Sequence, residues 1–116
     1  MGKAVLGVLV AVVCWVGGAS AASVPELKAT PERNGNVRVR WSFASTAPRD
    51  TTTLELERSS DGTTFAPLTT VRRARKRQGW LDRVKGQGAF WYRARVVTDE
   101  TATGWSVVVG TSATPG

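Results

Sequence analysis

The sequence predicts an all-β protein, an antiparallel sandwich or small barrel, on three observations. Apolar residues alternate with polar ones over several short runs, turn signals separate those runs, and no stretch after residue 21 shows helical spacing. Residues 37–43, "VRVRWSF", put Val37, Val39, Trp41 and Phe43 on one face and Arg38, Arg40 and Ser42 on the other, as a half-buried strand requires. In "TLELERSSDGTTF" Leu54 and Leu56 turn inward and Glu55 and Glu57 outward, before a Ser60-Asp61-Gly62 turn. Residues 90–97, "FWYRARVV", place Phe90, Tyr92, Ala94 and Val96 on the core side.

The first residues stand apart. "MGKAVLGVLVAVVCWVGGASAAS" has a positive start at Lys3, an uncharged apolar run from Ala4 to Val16, and the small residues Ala19-Ser20-Ala21 that a signal peptidase accepts. Residues 1–21 are therefore expected to be a hydrophobic signal helix, and residues 22–116 a single exported domain, secreted or periplasmic. An uncleaved membrane anchor is the alternative, but the apolar run falls short of the roughly 20 residues that span a bilayer.

Removing residues 1–21 also removes the only cysteine, so the remaining 95 residues form no disulfide and must rely on their core. They hold 15 Lys and Arg against 9 Asp and Glu, a net charge of +6, and no histidine. Metal sites built on His and Cys, and acid–base chemistry built on His, are excluded by inventory. No cofactor motif is present. Glu55 and Glu57 are the one pair of acids sharing a face at close spacing, and a flat sheet lined by arginines offers no glycosidase-type cleft for them. Ser59 and Ser60 have no histidine to activate them. The expectation is a protein that is not an enzyme.

Five stretches in order resemble a fibronectin type III domain over most of residues 24–114. "VPELKAT" resembles its opening strand, Trp41 its core tryptophan, and "LELERSSDGTTFAPL" its third strand and hairpin. "VKGQGAF" is similar to its Leu-x-Pro-Gly-x-x-Tyr corner, with Val84 and Phe90 six apart, and "FWYRARV" with "GWS" to its last two strands. The resemblance implies a seven-stranded immunoglobulin-like sandwich, with the first, second and fifth strands in one sheet and the third, fourth, sixth and seventh in the other. Phe90 replaces the corner tyrosine, so that hydrogen bond is expected to be absent. No Arg-Gly-Asp tripeptide occurs.

Within that fold Glu55 and Glu57 are expected to meet Arg93 and Arg95 across strands, with Trp105 stacked near the arginines. On the other sheet Lys28, Arg38 and Arg40 project outward with little to balance them. The implied fifth strand turns Leu81 inward and Trp80 outward beside those arginines, with Asp82 as the main acidic neighbour. The run "RRARKR", residues 72–77, leads into that strand at the end of the same face.

Arg72, Arg73, Arg75, Lys76, Arg77, Trp80, Arg38 and Arg40 are thus the candidate binding residues. Their expected partner is a protein, an anionic glycan or another envelope polymer such as lipopolysaccharide phosphates or teichoic acid, rather than nucleic acid. The competing readings are a solvated connection for the basic run, and a structural or assembly component of a surface appendage or phage particle for the whole chain. Processing is directly measurable: N-terminal mass analysis of the exported protein should find Ala22 first, or Ser23 if cleavage falls one residue later. An intact Met1 on a membrane-bound product would restore the anchor.

Overall fold

A computed structural model describes residues 22–84, 88–99 and 101–113, so the expected signal segment lies outside the described residues. The strands are β1 (Glu26–Pro31), β2 (Val37–Ser42), β3 (Thr52–Ser59), β4 (Ala66–Arg72), β5 (Arg77–Asp82), β6 (Gly88–Thr98), β7 (Thr101–Ala102) and β8 (Val109–Ala113). They form two antiparallel sheets. One has the order β1-β2-β5; the other has the order β4-β3-β6-β7, with β8 also paired to β6. This is an immunoglobulin-like β-sandwich. No helix among the described residues is long and apolar enough to cross a membrane.

Eight strands stand where the sequence implied seven, because the last one is broken once along β6, into β7 and β8. Val97 pairs with Ala102 and Tyr92 with Val109, so the outer chain gains two residues on its partner over that distance. Side chains carry the ladder across the gap: the amide of Val96 donates to Thr103 Oγ1 at 3.0 Å and that of Ala94 to Ser106 Oγ at 3.0 Å. The amides of Thr103 and Ser106 donate back to the carbonyls of Val96 and Ala94 at 2.9 and 2.8 Å. Each extra residue is a β-bulge, and such bulges re-aim side chains. Here Trp105 swings over the outer face of β6.

The core follows the alternation. Val37, Val39, Trp41 and Phe43 meet Leu54, Leu56, Tyr92, Ala94 and Val96 between the sheets, all buried. Each of the larger aliphatic side chains contributes about 1.5–3 kcal/mol by leaving water. The outer face of the larger sheet carries the expected ladder. Arg93 pairs with Glu57 at 2.8 Å and Arg95 with Glu55 at 2.6 Å. The Arg93 guanidinium lies over Trp105 at 4.3 Å and over Phe65 at 4.5 Å, and that of Arg95 lies over Trp105 at 4.6 Å. With both arginines held by glutamates and rings, this face is a stabilising surface.

The β3–β4 hairpin is closed by its own side chains. Asp61 Oδ1 accepts hydrogen bonds from the amides of Thr64 and Thr63 and from the Ser59 hydroxyl, each at 2.8 Å, which holds its carboxyl well below the usual carboxylate range. Gly62 takes φ +84°, a left-handed turn position suited to glycine, beneath the ring of Trp91.

The sheets are joined at one more point. Asp82, 3% exposed, accepts both contacts of Arg58 Nη1 at 2.8 and 2.9 Å and the hydroxyl of Tyr92 at 2.8 Å. Arg58 also caps the ring of Phe90 at 5.6 Å. Tyr92, two residues beyond Phe90 on β6, thus carries the buried phenolic hydrogen bond. Burial, then the bond to Asp82, pushes the Tyr92 phenol well above its usual range.

Since the native state holds that proton more tightly than the unfolded chain, its contribution is complete below pH about 10 and is lost as pH rises further. Tyr92 is the only tyrosine, so phenolate absorbance reports it alone. Phenolate should appear only together with alkaline unfolding. Tyr92→Phe should cost about 1–2 kcal/mol at neutral pH and remove this alkaline decline; phenolate forming in the folded protein would contradict the assignment.

Candidate functional site

The basic run turns out to be the corner that carries the chain from one sheet to the other. Arg72 closes β4 opposite Thr53, on the outer face of the larger sheet, and Arg77 opens β5 opposite Ser42, on the outer face of the smaller one. Between them the backbone turns at Arg73, whose φ of +54° is rare for a residue with a Cβ. Ala74 then drops its methyl into the core, 3% exposed, and its amide donates to the Thr52 carbonyl at 3.0 Å.

Two further bonds tie the corner down. The Arg75 carbonyl accepts the Trp41 indole N–H at 3.2 Å, and the Lys76 carbonyl accepts the Phe43 amide at 3.0 Å. Gln78 Oε1 accepts the Arg75 amide at 3.0 Å. With its carbonyls turned inward, the corner holds the Arg75 and Lys76 side chains outward on a fixed backbone.

Charge at the corner is mostly unanswered. Arg73 meets Asp50 at 3.1 Å, both well exposed, a pair worth little. Arg49, which the sequence did not single out, donates through Nε to the Arg73 carbonyl at 2.8 Å and so joins the cluster. Its only sequence signal is the "PRD" just ahead of β3. Among the described residues, the side chains of Arg72, Arg75, Lys76 and Arg77 meet no acid.

The outer face of the smaller sheet continues this surface. Lys28, Arg40 and Gly79 lie in one cross-strand row, and Glu26, Ser42 and Arg77 in the next. Gly79 has no side chain, so the stems of Arg38 and Arg40 lie against β5 there; a Cβ would stand 3.4 Å from Arg40 Cγ and 3.6 Å from Arg38 Cδ. A shallow hollow of about 700 Å³ results, edged by Lys28, Arg40 and Arg77, with Glu26 the one acid on its rim. Arg38 is held to Glu32 at 3.2 Å and contributes less.

Trp80 corrects the sequence reading. It lies opposite Val39, a fully buried inward residue, and packs half-buried against the core, whereas Leu81 lies opposite the outward Arg38. Asp82 faces Val37 and points inward as well. The reason is a register one residue away from that implied: with Asp82 claimed by Arg58 and Tyr92, Trp80 must share its face. Trp80 therefore leaves only part of its ring at the surface. Of the eight candidates, the structure brings Arg40, Arg75, Lys76 and Arg77 onto one continuous strip, places Arg72 on the other sheet, pairs Arg38 and Arg73, and buries part of Trp80.

No protein-family model matches the chain, and no curated protein sequence matches it. Among solved structures it is similar to the PKD domain of an M14-like peptidase from Thermoplasmatales archaeon SCGC AB-540-F20, with 8% identity over 84% of this chain and 98% of that one, at a TM-score of 0.49.

Since Trp80 packs inward, Trp80→Ala should act on stability and not on binding. A loss of about 2–4 kcal/mol is expected by denaturant unfolding, with no change in the salt dependence of polyanion binding. Unchanged stability with weakened binding would return the ring to the surface.

Proposed function

We propose that the protein is an exported, non-enzymatic recognition module of the fibronectin type III kind that binds an anionic polymer or glycan of the cell envelope. One observation carries this reading: a strip of cations, from Lys28 and Arg40 across Arg77 to Lys76 and Arg75, has no acid paired to it among the described residues and sits on a backbone fixed by Trp41 and Phe43. Unpaired like charges at fixed spacing repel one another, and an anionic chain along the strip relieves that repulsion while releasing counterions. With no fully exposed aromatic among the described residues, the recognition is chiefly electrostatic, so it selects charge density and not a particular sugar or base. Export rests on the amino-terminal pattern.

A second reading, an assembly component that uses the sandwich for protein contacts, draws on the exposed valines Val107 and Val108 beside the broken edge. A single stoichiometric protein captured from the envelope by a Val107→Ser-sensitive contact would favour it.

Polyphosphate titrated against salt tests the main reading. Replacing Arg40, Arg75, Lys76 and Arg77 by Gln should flatten the log–log salt slope by roughly 3, at about 0.7–0.9 per phosphate contact. Folding stability should change by no more than about 0.5 kcal/mol, since none of the four side chains supports the core. Unchanged affinity and slope in the variant would defeat the proposal.

A further inference from the structure

Resting on that reading for the free cations, we infer that the end of the sandwich carrying the basic corner seats on an anionic lipid bilayer, its cations meeting headgroup phosphates. Three observations converge on that end. The first is covalent. The described chain starts at Ala22, which pairs with Ser45, while the Ser23 amide donates to the Ala44 carbonyl at 2.8 Å and Ser23 Oγ accepts the Ala44 amide at 2.9 Å. Ala22 and Ser23 share a hollow of about 670 Å³ with Lys76 and Arg77. Residues 1–21, with the apolar run Ala4–Val16, therefore join the sandwich beside the basic corner. If they are retained, this end is tethered to the bilayer; if they are cleaved, the new amino terminus adds a positive charge there.

The second observation is a smaller hollow of about 380 Å³, floored by Phe43 and Ala74 and edged by Arg49, Arg75 and Lys76. The cationic rim suits a lipid phosphate, and the floor, apolar at Phe43, Ala47 and Ala74 with Ser45 and Thr52 beside them, suits the mixed polar and apolar region where headgroup meets acyl chain, which free inorganic phosphate lacks. The third is the placing of acids. Asp50 is already engaged by Arg73. Asp99 stands in the turn between β6 and β7, on the larger sheet's other flank from β4. Glu26 opens β1 at this end, in one cross-strand row with Ser42 and Arg77; among the described residues, the part built by the corner after β4 and Arg49 holds no acid besides Asp50 and is left cationic.

The test is partition of the full-length chain onto phosphatidylcholine vesicles with and without phosphatidylglycerol, the contribution of residues 1–21 being common to every variant. Arg75→Gln with Lys76→Gln should lose on the order of 30-fold in binding to the phosphatidylglycerol vesicles, at about fivefold for each charge near the surface. Arg33→Gln with Arg83→Gln removes the same charge from the opposite end, where β1 leads to β2 and β5 ends, and should leave binding unchanged. Equal losses in the two variants, or no loss at the corner, would overturn the inference. A parental chain that binds polyphosphate but gains nothing from phosphatidylglycerol would overturn it alone; failure with both probes would take the polyanion reading with it.

Discussion

The carboxylate of Asp82, shared between Arg58 and Tyr92 of the opposite sheet, decides the register of β5, and most of what is distinctive here follows from that register. A strand's side chains alternate, so fixing Asp82 inward also turns Trp80 and Gln78 inward and Arg77, Gly79 and Leu81 outward. The same choice puts Trp80 against the core, opens the hollow over Gly79 and starts the cationic strip at Arg77. In a chain whose β-sandwich has no cysteine, a buried carboxylate with an arginine and a phenol as partners is also a cross-sheet tie. Removing one partner strands the others in a poorly solvated place.

Charges in this protein fall into two groups with opposite consequences. Arg38, Arg58, Arg93 and Arg95 each have an acid within 3.2 Å, and Arg93 and Arg95 have aromatic rings as well. They stiffen the faces on which they lie. Arg75, Lys76 and Arg77 have no such partner among the described residues, yet their backbone is as firmly held, through Ala74 in the core and the carbonyls that meet Trp41 and Phe43. A flexible basic loop would relax its repulsion by spreading. This corner keeps its backbone in place, so the three charges stay close together.

Much of the fold was legible because two strands present strong contrast. In β3 and β6 the apolar residues fall on one side and Glu55, Glu57, Arg93 and Arg95 on the other, so the facing of both strands follows from a period of two, while their pairing and the stacking of Trp105 were expected from the family resemblance. The break in the last strand was not legible, because the hydroxyls of Thr103 and Ser106 take the place of backbone carbonyls as acceptors there, and neither residue type marks a bulge by itself. Ala74 was overlooked for a related reason: one alanine among five cations gives no periodic signal, although it is the one residue of the run that can enter a core.

By itself the sequence determined the all-β class, the inward set of β2, β3 and β6 and the excess of positive charge, since each of these depends on local alternation or on counting; the strand membership of the two sheets was implied only by the resemblance to a fibronectin type III domain. Tertiary structure alone decided which way β5 faces. "RQGWLD" carries a polar residue, an aromatic and an acid on one side and an arginine, a glycine and a leucine on the other, so hydrophobicity does not choose between them. The choice came from residues distant in the chain, Val39 opposite Trp80 and the Arg58–Tyr92 pair around Asp82, because a buried carboxylate must be placed where its partners are.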